Sequence, residues 1–291
     1  MKLYAPRYYK KFKCIADRCP HSCCIGWEID IDANSLNKYK ALKDGYGTII
    51  ANSIANDGEP HFKLCDGERC PHLDDRGLCR IITNLGEDYL CRICREHPRF
   101  YNYTRVAEVG IGMSCPEAAR IILSSEDFAE FTEIGEVEES VDGVDFDGCS
   151  ARNKIYAALQ GDYTTALGKL YREYSISIGD DGMCKDLLYS LEYLDEDHRT
   201  LFMHYSSGLR AIGKDEYLKR FLAYFIYRHC TEAFNAEDFR LRLSFCLFCE
   251  RLFASLIYTE EADSLEKISE LARIISEEIE YSEDNTLTLT Y

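Results

Sequence analysis

The sequence has no long apolar run. No window approaches the roughly 18 uninterrupted apolar residues of a membrane-spanning helix. The N-terminal segment MKLYAPRYYKKFKC has basic residues but lacks the apolar stretch of a secretory signal peptide. These two absences predict a cytoplasmic protein without a membrane partner.

Basic residues are also scarce. The chain has 34 Lys and Arg against 51 Asp and Glu, which gives a formal net charge of −17. Proteins that bind nucleic acid draw much of their affinity from Lys and Arg that neutralise phosphates, so this composition argues against a nucleic-acid partner. An acidic surface mainly keeps a protein soluble, and it is also compatible with a basic partner.

The shortage of positive charge is greatest between Arg120 and Arg152, where neither Lys nor Arg occurs. Because carboxylates dominate there, we predict an acidic linker, or the exposed edge of the next domain, at 126–150. Residues 1–125 hold ten of the fifteen cysteines and are predicted to form a metal-binding module with few short strands. In residues 151–291, apolar side chains recur at three- and four-residue intervals, which predicts a helical bundle. The predicted fold class is mainly α.

Four segments of the N-terminal part have a recognisable local pattern. DANSLNKYKALKD and SCPEAARIILSS are typical of helices, the second with Ser114 as N-cap and Pro116 in the first turn. HFKLC and TRVAEVGIGMSC are predicted to be short strands.

The sequence is rich in cysteine, with 15 among its 291 residues. A chain of 291 residues with 46% hydrophobic residues can build a core without disulfides. In a reducing cytosol, dense cysteines bind metal or do chemistry more often than they form disulfides. Their spacing is C-x4-C-x3-C-C, then C-x8-C-x11-C-x2-C, then a single cysteine. The nine grouped cysteines are Cys14, Cys19, Cys23, Cys24, Cys70, Cys79, Cys91, Cys94 and Cys115.

Thiolates at short spacings suit zinc or an iron-sulfur cluster. Because the side chains of neighbouring residues diverge, either one of Cys23 and Cys24 ligates and the other packs, or two centres exist. Three histidines among the cysteines are placed to complete a mixed site: His21, His72 and His97. The cysteines outside the groups are predicted to pack as small apolar residues: Cys65, Cys149, Cys184, Cys230, Cys246 and Cys249.

Three blocks of the sequence carry a family resemblance. FKCIADRCPHSCCIGWEIDID, CPHLDDRGLCRIITNLGEDYLCRICREHPRF and EVGIGMSCPEAARIIL resemble successive blocks of the flagellin lysine-N-methylase (FliB) family, which is similar to the broader CxxCxxCC iron/zinc-chelating domain family. The resemblance covers residues 4–125 and extends loosely into YLKRFLAYFIYRHC. Carried over position by position, the motif cysteines are the nine grouped ones, and Cys65 lies outside the pattern.

The resemblance implies a cofactor and an activity. The nine cysteines are expected to hold an iron-sulfur cluster of the [4Fe-4S] type, with zinc as the alternative. The implied reaction transfers methyl groups from S-adenosylmethionine to lysines of flagellin or of another lysine-bearing protein.

The sequence does not mark a methyl-donor site. It has no glycine-rich loop of the Rossmann type, and the CxxxCxxC spacing of radical S-adenosylmethionine enzymes is absent. Catalytic and cofactor-binding residues therefore stay unassigned, and two functions remain open. One is a flagellin-type lysine methyltransferase bearing an iron-sulfur cluster. The other is a non-catalytic protein in which zinc or a cluster stabilises an interaction or sensor module.

Overall fold

A computed structural model describes residues 1–43, 45–55, 58–139, 146–209 and 212–291. Residues 140–145 of the predicted linker therefore lie outside the described part. The strands are β1 (Lys2–Pro6), β2 (Ile54–Ala55), β3 (His61–Phe62), β4 (Arg99–Tyr103), β5 (Ala107–Ile111) and β6 (Phe131–Glu136). The helices are α1 (Ala33–Ala41), α2 (Tyr46–Ser53), α3 (Arg80–Leu85), α4 (Arg92–Glu96), α5 (Pro116–Ser124), α6 (Gly148–Leu159), α7 (Tyr163–Glu173), α8 (Asp181–Ser190), α9 (Glu196–Phe202), α10 (Asp215–His229), α11 (Ala236–Thr259), α12 (Leu265–Ile275) and α13 (Glu283–Thr290), with a π-helical turn at Ser276–Glu280 after α12.

This composition confirms the mainly α prediction. Over 151–291, the described residues form helices and connecting turns without a strand, as the apolar periodicity predicted. The predicted N-terminal helices and strands are present as α1, α5, β3 and β5. None of the helices that the structure describes has both the length and the apolar composition needed to cross a membrane.

The chain divides into two compact units. Lys13–His97 form the cysteine unit, and Met1–Phe12 together with Pro98–Tyr291 form the helical unit. The first residues of the chain therefore belong with its C-terminal part. The division into 1–125, 126–150 and 151–291 remains a prediction from the sequence alone.

A four-stranded sheet explains why the N-terminus joins the helical unit. Its strand order is β4-β5-β1-β6, with β1 parallel to β5 and antiparallel to β6. The acidic segment around β6 therefore contains an edge strand, and Glu133 on that strand pairs with Lys2 of β1 at 2.7 Å. Charged side chains on an edge strand discourage pairing with another chain.

Helices α10 and α11 form the centre of the helical unit. Both are buried along most of their length, and the rings of Phe221 and Phe253 stack between them at 4.2 Å. Asn235 begins α11 by accepting a hydrogen bond from the amide of Asp238, as an N-cap side chain does. Residues 221–227 of α10 are apolar and buried without interruption. A helical stretch that is apolar on every side belongs in a core, which accounts for the central place of α10.

The start of α5 differs from the prediction. Cys115, not Ser114, is the N-cap residue, and Pro116 is the first helical residue. The hydroxyl of Ser114 is buried and has no hydrogen-bond partner in the part of the chain that the structure describes. Ser114 lies one position too early to cap the helix, because an N-cap side chain must reach the amides of the second and third helical residues.

The first turn of α6 makes a close approach that supports a stability prediction. A Cβ atom at Gly148 would lie 2.3 Å from the backbone oxygen of Thr231. We expect Gly148→Ala to lower the free energy of unfolding by about 1 to 3 kcal/mol, because the backbone would have to move. Urea unfolding followed by circular dichroism measures this change.

Gly168 in α7 provides the matched control. A Cβ atom there meets only the end of the Arg172 side chain, at 3.4 Å. Gly168→Ala should therefore stabilise the protein by roughly 0.5 to 1 kcal/mol, through helix propensity. An equal response of the two variants would contradict the close approach at Gly148.

Candidate metal centre

Backbone hydrogen bonds within the cysteine unit join the cysteine blocks of the sequence. The amide of Cys70 donates to the carbonyl of Cys24 at 2.8 Å, which links the first block to the second. A β-bridge between Leu73 and Cys79 closes the loop that follows Cys70. The indole of Trp27 donates to the carbonyl of Cys23 at 2.9 Å. These contacts bring residues distant in sequence close to one another.

Asp32 ties the helix that carries Cys91 and Cys94 to α1. Its carboxylate caps α1 at the amide of Ser35 and also accepts from the amide of Arg92 at 2.8 Å. Burial alone would raise the pKa of Asp32, but the hydrogen bonds from these amides lower it to about 2. The carboxylate therefore stays charged at neutral pH and holds the start of α4 in place.

Six of the nine grouped thiols lie close enough for their charges to act on one another. They are Cys23, Cys24, Cys70, Cys79, Cys91 and Cys94. Burial raises the pKa of Cys70 to about 11, and neighbouring thiolates at Cys79 and Cys91 add to the shift. Burial likewise raises the pKa of Cys79. A thiol that faces other thiols is hard to ionise, because its thiolate would meet like charges.

Two pairs within the six are in hydrogen-bond contact. A hydrogen bond between the Cys91 and Cys94 side chains lowers the pKa of Cys91 and raises that of Cys94. A hydrogen bond with Cys24 raises the pKa of Cys23. The Tyr39 hydroxyl lies 3.3 Å from the Cys91 sulfur and donates to the carbonyl of Tyr89 at 2.6 Å. The adjacent Cys23 and Cys24 thus both belong to the group.

The other three cysteines predicted to be metal ligands are Cys14, Cys19 and Cys115. Cys14 and Cys19 begin the cysteine unit, Cys14 exposed and Cys19 partly buried, and the Cys14 sulfur accepts from the amide of Ala16 at 3.4 Å. Cys115 belongs to the helical unit, where it begins α5 and packs against the apolar core. The structure therefore assigns eight of the nine predicted ligands to one unit and Cys115 to the other.

His72 packs instead of offering a nitrogen to a metal. It is fully buried, and its two ring nitrogens lie 2.7 Å from the Tyr46 hydroxyl and 2.9 Å from the Ser53 hydroxyl. Its ring meets Phe62 edge-on at 4.6 Å. Burial lowers the pKa of His72 to about 4, so the ring is neutral at pH 7. Both nitrogens are engaged, which corrects the expectation that His72 completes a mixed site.

His21 and His97 are partly buried within the cysteine unit. The ring of His97 lies 6.4 Å from that of Trp27. Their suggested role in a mixed site stays a prediction.

The cysteines outside the groups mostly follow the packing prediction. Cys184, Cys230, Cys246 and Cys249 are buried in the core of the helical unit, and Cys149 is partly buried. Cys65 is exposed, so its assignment as a buried packing residue was wrong. It lies near enough to Cys70 to raise the pKa of that thiol. The sequence of HFKLC predicts a short strand, but a strand pattern by itself does not show which of its side chains other elements will cover. The exposure of Cys65 could therefore not be predicted.

A second group of potential ligands escaped the sequence analysis. His198, Glu277 and Glu278 place ligand atoms within 4.8 Å of one another. Glu278 accepts from His198 at 2.5 Å and from the amide of Leu194 at 2.8 Å, and Glu277 pairs with Arg273 at 2.6 Å. These contacts form a satisfied ion-pair network that joins α9 to the π-helical turn. His198 lies 80 residues before Glu278 in the sequence, so spacing could not have identified the group.

The donor set of the cysteine unit suits a thiophilic ion. Six interacting thiols supply the ligand type that zinc and iron-sulfur clusters prefer. A bound cation would also offset the repulsion that opposes ionisation of these thiols, because it stabilises coordinated thiolates. The donor types therefore suit a thiolate-bound metal centre, although among the residues that the structure describes no three of these sulfur atoms lie within 4.8 Å of one another.

Comparison with known proteins indicates the family. The chain is 31% identical over 131 residues to the flagellar biosynthetic protein FliU of Salmonella muenchen, covering 42% of this chain and 77% of that protein. It is 28% identical over 137 residues to the lysine-N-methylase of Salmonella typhimurium and 31% identical over 137 residues to that of Salmonella choleraesuis. Each of these two matches covers 44% of this chain.

The coverage is uneven. The chain spans about a third, 34%, of the length of the two lysine-N-methylases. No family model and no solved structure matches it. The match to FliU covers more than two thirds of that protein at 31% identity, so the chain belongs to the family of FliU and the lysine-N-methylases.

Proposed function

We propose that the protein is an S-adenosylmethionine-dependent protein-lysine N-methyltransferase that modifies flagellin in the cytoplasm and carries an iron-sulfur cluster. The observation that carries this proposal is the similarity to two lysine-N-methylases at 28 and 31% identity. The name of FliU, a flagellar biosynthetic protein, supports flagellin as the acceptor. The acidic net charge of −17 is compatible with a basic, lysine-bearing segment.

The metal ligands are proposed to come mainly from the cysteine unit. The six interacting thiols form the inner set, and Cys14, Cys19 and Cys115 are the remaining predicted ligands. The [4Fe-4S] type is the first candidate and zinc the second. A cluster bound there would cross-link the cysteine blocks and make the unit sensitive to oxidation. Such a role is structural or redox-sensing, because methyl transfer to an amine does not itself need iron.

Methyl transfer makes three demands on the residues of the chain. The acceptor amine must lose its proton, be stripped of water and be aligned with the methyl carbon and the sulfur of the donor. A carboxylate or a tyrosine hydroxyl is suited to orient the ammonium before it loses its proton. These groups must act in an enclosed place, since water competes for every hydrogen bond.

A non-catalytic role is the second candidate. In that case zinc or a cluster stabilises an interaction or sensor module, and the chain has no methyl donor. The observation that favours it is the group of interacting thiols, because these suit a bound metal and methyl transfer to an amine does not need one.

A methylation assay separates the two functions. Protein purified without oxygen is incubated with S-adenosylmethionine and a cognate flagellin, and the flagellin is analysed by mass spectrometry. We expect mass increases in steps of one methyl group, mapped to lysine side chains. Flagellin whose lysines have been acetylated is the control and should gain nothing. If metal-loaded protein neither binds S-adenosylmethionine nor modifies flagellin, the interaction module is the better account.

A further inference from the structure

A cleft of about 400 Å³ lies beside the first turns of α10, within the helical unit. Its walls come from three places: the segment between α5 and β6, the residue that follows α6, and α10 itself. All six lining residues belong to the described part of the chain. They are Glu126, Phe128, Gln160, Glu216, Lys219 and Arg220.

Two cations and an aromatic ring are buried in this lining. Phe128 and Lys219 are each 7% exposed, and the side chain of Arg220 is 11% exposed. We call these three residues the floor of the cleft. Burying a cation is costly unless acceptors compensate its charge.

The two cations of the floor share one carboxylate. The ammonium of Lys219 donates to Glu216 at 2.7 Å, which uses one of its three donors. The guanidinium of Arg220 donates to the carbonyl of Leu123 at 2.8 Å and lies 3.5 Å from Glu216, which is longer than a normal hydrogen bond. Its Nε is buried and has no hydrogen-bond partner among the residues that the structure describes. The floor therefore keeps a positive charge and spare donors.

Exposed polar side chains form the rest of the lining. The Glu216 side chain is 60% exposed, and Glu126 and Gln160 are also exposed. We call these three residues the rim, which carries two carboxylates and an amide. A simple anion is repelled by the rim, and a simple amine is repelled by the floor. A ligand with both charges complements the whole cleft.

The volume suits a ligand larger than a free amino acid. A cavity of about 150 Å³ holds a molecule the size of benzene, and pockets for drug-sized molecules begin at roughly 300 Å³. At about 400 Å³, the cleft has room for an α-amino acid group together with a further group attached to it. The buried ring of Phe128 offers such a ligand an apolar surface.

We propose that this cleft binds an α-amino acid group, with its carboxylate at Lys219 and Arg220 on the floor and its ammonium at Glu126 on the rim. A carboxylate accepts from an ammonium and a guanidinium at once, and such charge-assisted hydrogen bonds are strong. Two sources share this chemistry: a free amino acid, and the amino-acid end of the methyl donor. The second source rests on the proposed function, and the volume of the cleft favours it.

Three matched probes test the two charges separately. L-Norleucine has both charges, hexanoate lacks the ammonium and n-pentylamine lacks the carboxylate. Saturation-transfer NMR on the metal-loaded full chain measures their binding. We expect L-norleucine to bind about tenfold more tightly than n-pentylamine, and about threefold more tightly than hexanoate because the ammonium meets an exposed carboxylate. Equal binding of the three probes, or preferred binding of hexanoate or n-pentylamine, would overturn the proposal.

A second pair of probes identifies the source of the amino acid group. S-adenosylhomocysteine carries this group, whereas methylthioadenosine keeps the nucleoside and the sulfur but lacks it. Calorimetry should show that S-adenosylhomocysteine binds at least roughly tenfold more tightly than methylthioadenosine and than L-norleucine. Equal affinities of S-adenosylhomocysteine and L-norleucine would support the same site and assign it to a free amino acid. Equal affinities of S-adenosylhomocysteine and methylthioadenosine would show that the amino acid group is not recognised.

A substitution at the floor tests the carboxylate contact. Lys219→Met keeps the aliphatic stem of the side chain, and it should weaken L-norleucine binding roughly tenfold and leave methylthioadenosine binding unchanged. Lys169→Met is the matched control, because Lys169 also pairs with a glutamate of its own helix, Glu173, but at an exposed position outside the lining of the cleft. This control should change the binding of neither probe. An unaffected Lys219→Met variant would contradict the floor as the carboxylate site.

A substitution at the rim decides if Lys219→Met does not fold, as judged by circular dichroism. Glu126→Gln changes an exposed residue, and it should weaken L-norleucine binding about threefold without weakening hexanoate binding. Methylation of flagellin, combined with S-adenosylhomocysteine binding that neither substitution affects, sinks the cleft and leaves the proposed function intact. L-Norleucine binding that depends on Lys219 and Glu126, without any methylation, sinks the proposed function and leaves the cleft intact.

Discussion

Cys79→Ser and Cys94→Ser should each lower the metal affinity of protein purified without oxygen by at least roughly tenfold. Both thiols belong to the interacting group of the cysteine unit. A hydroxyl of the same shape is a poor ligand for a soft metal, so the substitution removes one ligand without opening a cavity. Iron and zinc per chain, with the absorbance spectrum, are the measurements.

Cys184→Ser and Cys230→Ser are the controls for this experiment. Both thiols are buried in the core of the helical unit, and the Cys230 sulfur lies 3.7 Å from that of Cys246. These changes place a hydroxyl in apolar surroundings and should reduce stability while leaving metal content at the unaltered level. Equal metal loss from the two sets of variants would remove the basis for the thiolate centre.

Arg152→Met should lower the free energy of unfolding by about 3 to 5 kcal/mol. Arg152 on α6 makes a bidentate pair with Glu108 on β5, at 2.6 and 2.9 Å. Their side chains are 3% and 5% exposed. Burial opposes the charge of Arg152, but Glu108 more than offsets this and raises its pKa. The guanidinium also lies 4.5 Å from the centre of the Phe131 ring.

The loss of stability in Arg152→Met arises chiefly from the Glu108 carboxylate, which remains in place. Without Arg152, Glu108 is left buried with an uncompensated charge, and this penalty exceeds the worth of the pair itself. The double variant Arg152→Met with Glu108→Leu should therefore recover much of the stability. Arg240→Met, which breaks an exposed pair with Glu237, should cost less than about 1 kcal/mol. If urea unfolding showed that Arg152→Met and Arg240→Met lower the free energy of unfolding equally, this would contradict a buried pair between Arg152 and Glu108.

Local sequence patterns were sufficient to predict the helices of residues 151–291. The apolar periodicity of 151–291 predicts helices because each helix must cover one face, and the structure has them. The same reasoning placed α1, α5, β3 and β5. It misplaced the cap of α5 by one residue, since two neighbouring candidates differ only in where the first helical turn begins.

Local sequence patterns could not predict which strands distant in sequence would pair. Strand β1 joins β5 and β6 across more than a hundred residues of chain, so the first twelve residues belong to the helical unit and not to the cysteines that follow them. Pairing partners are chosen by the packing of the whole sheet, which a local window does not contain.

By itself, the sequence determined the mainly α class, the grouping of the cysteines and the family resemblance, because residue type and spacing are properties of the chain alone. Only the tertiary structure decided that Cys115 lies in a different unit from the other grouped cysteines, that His72 is held by two hydroxyls and that Arg152 pairs with Glu108. Burial and the neighbours of a charge depend on elements distant in sequence. They set pKa values and ligand access, and they exist only once the chain has folded.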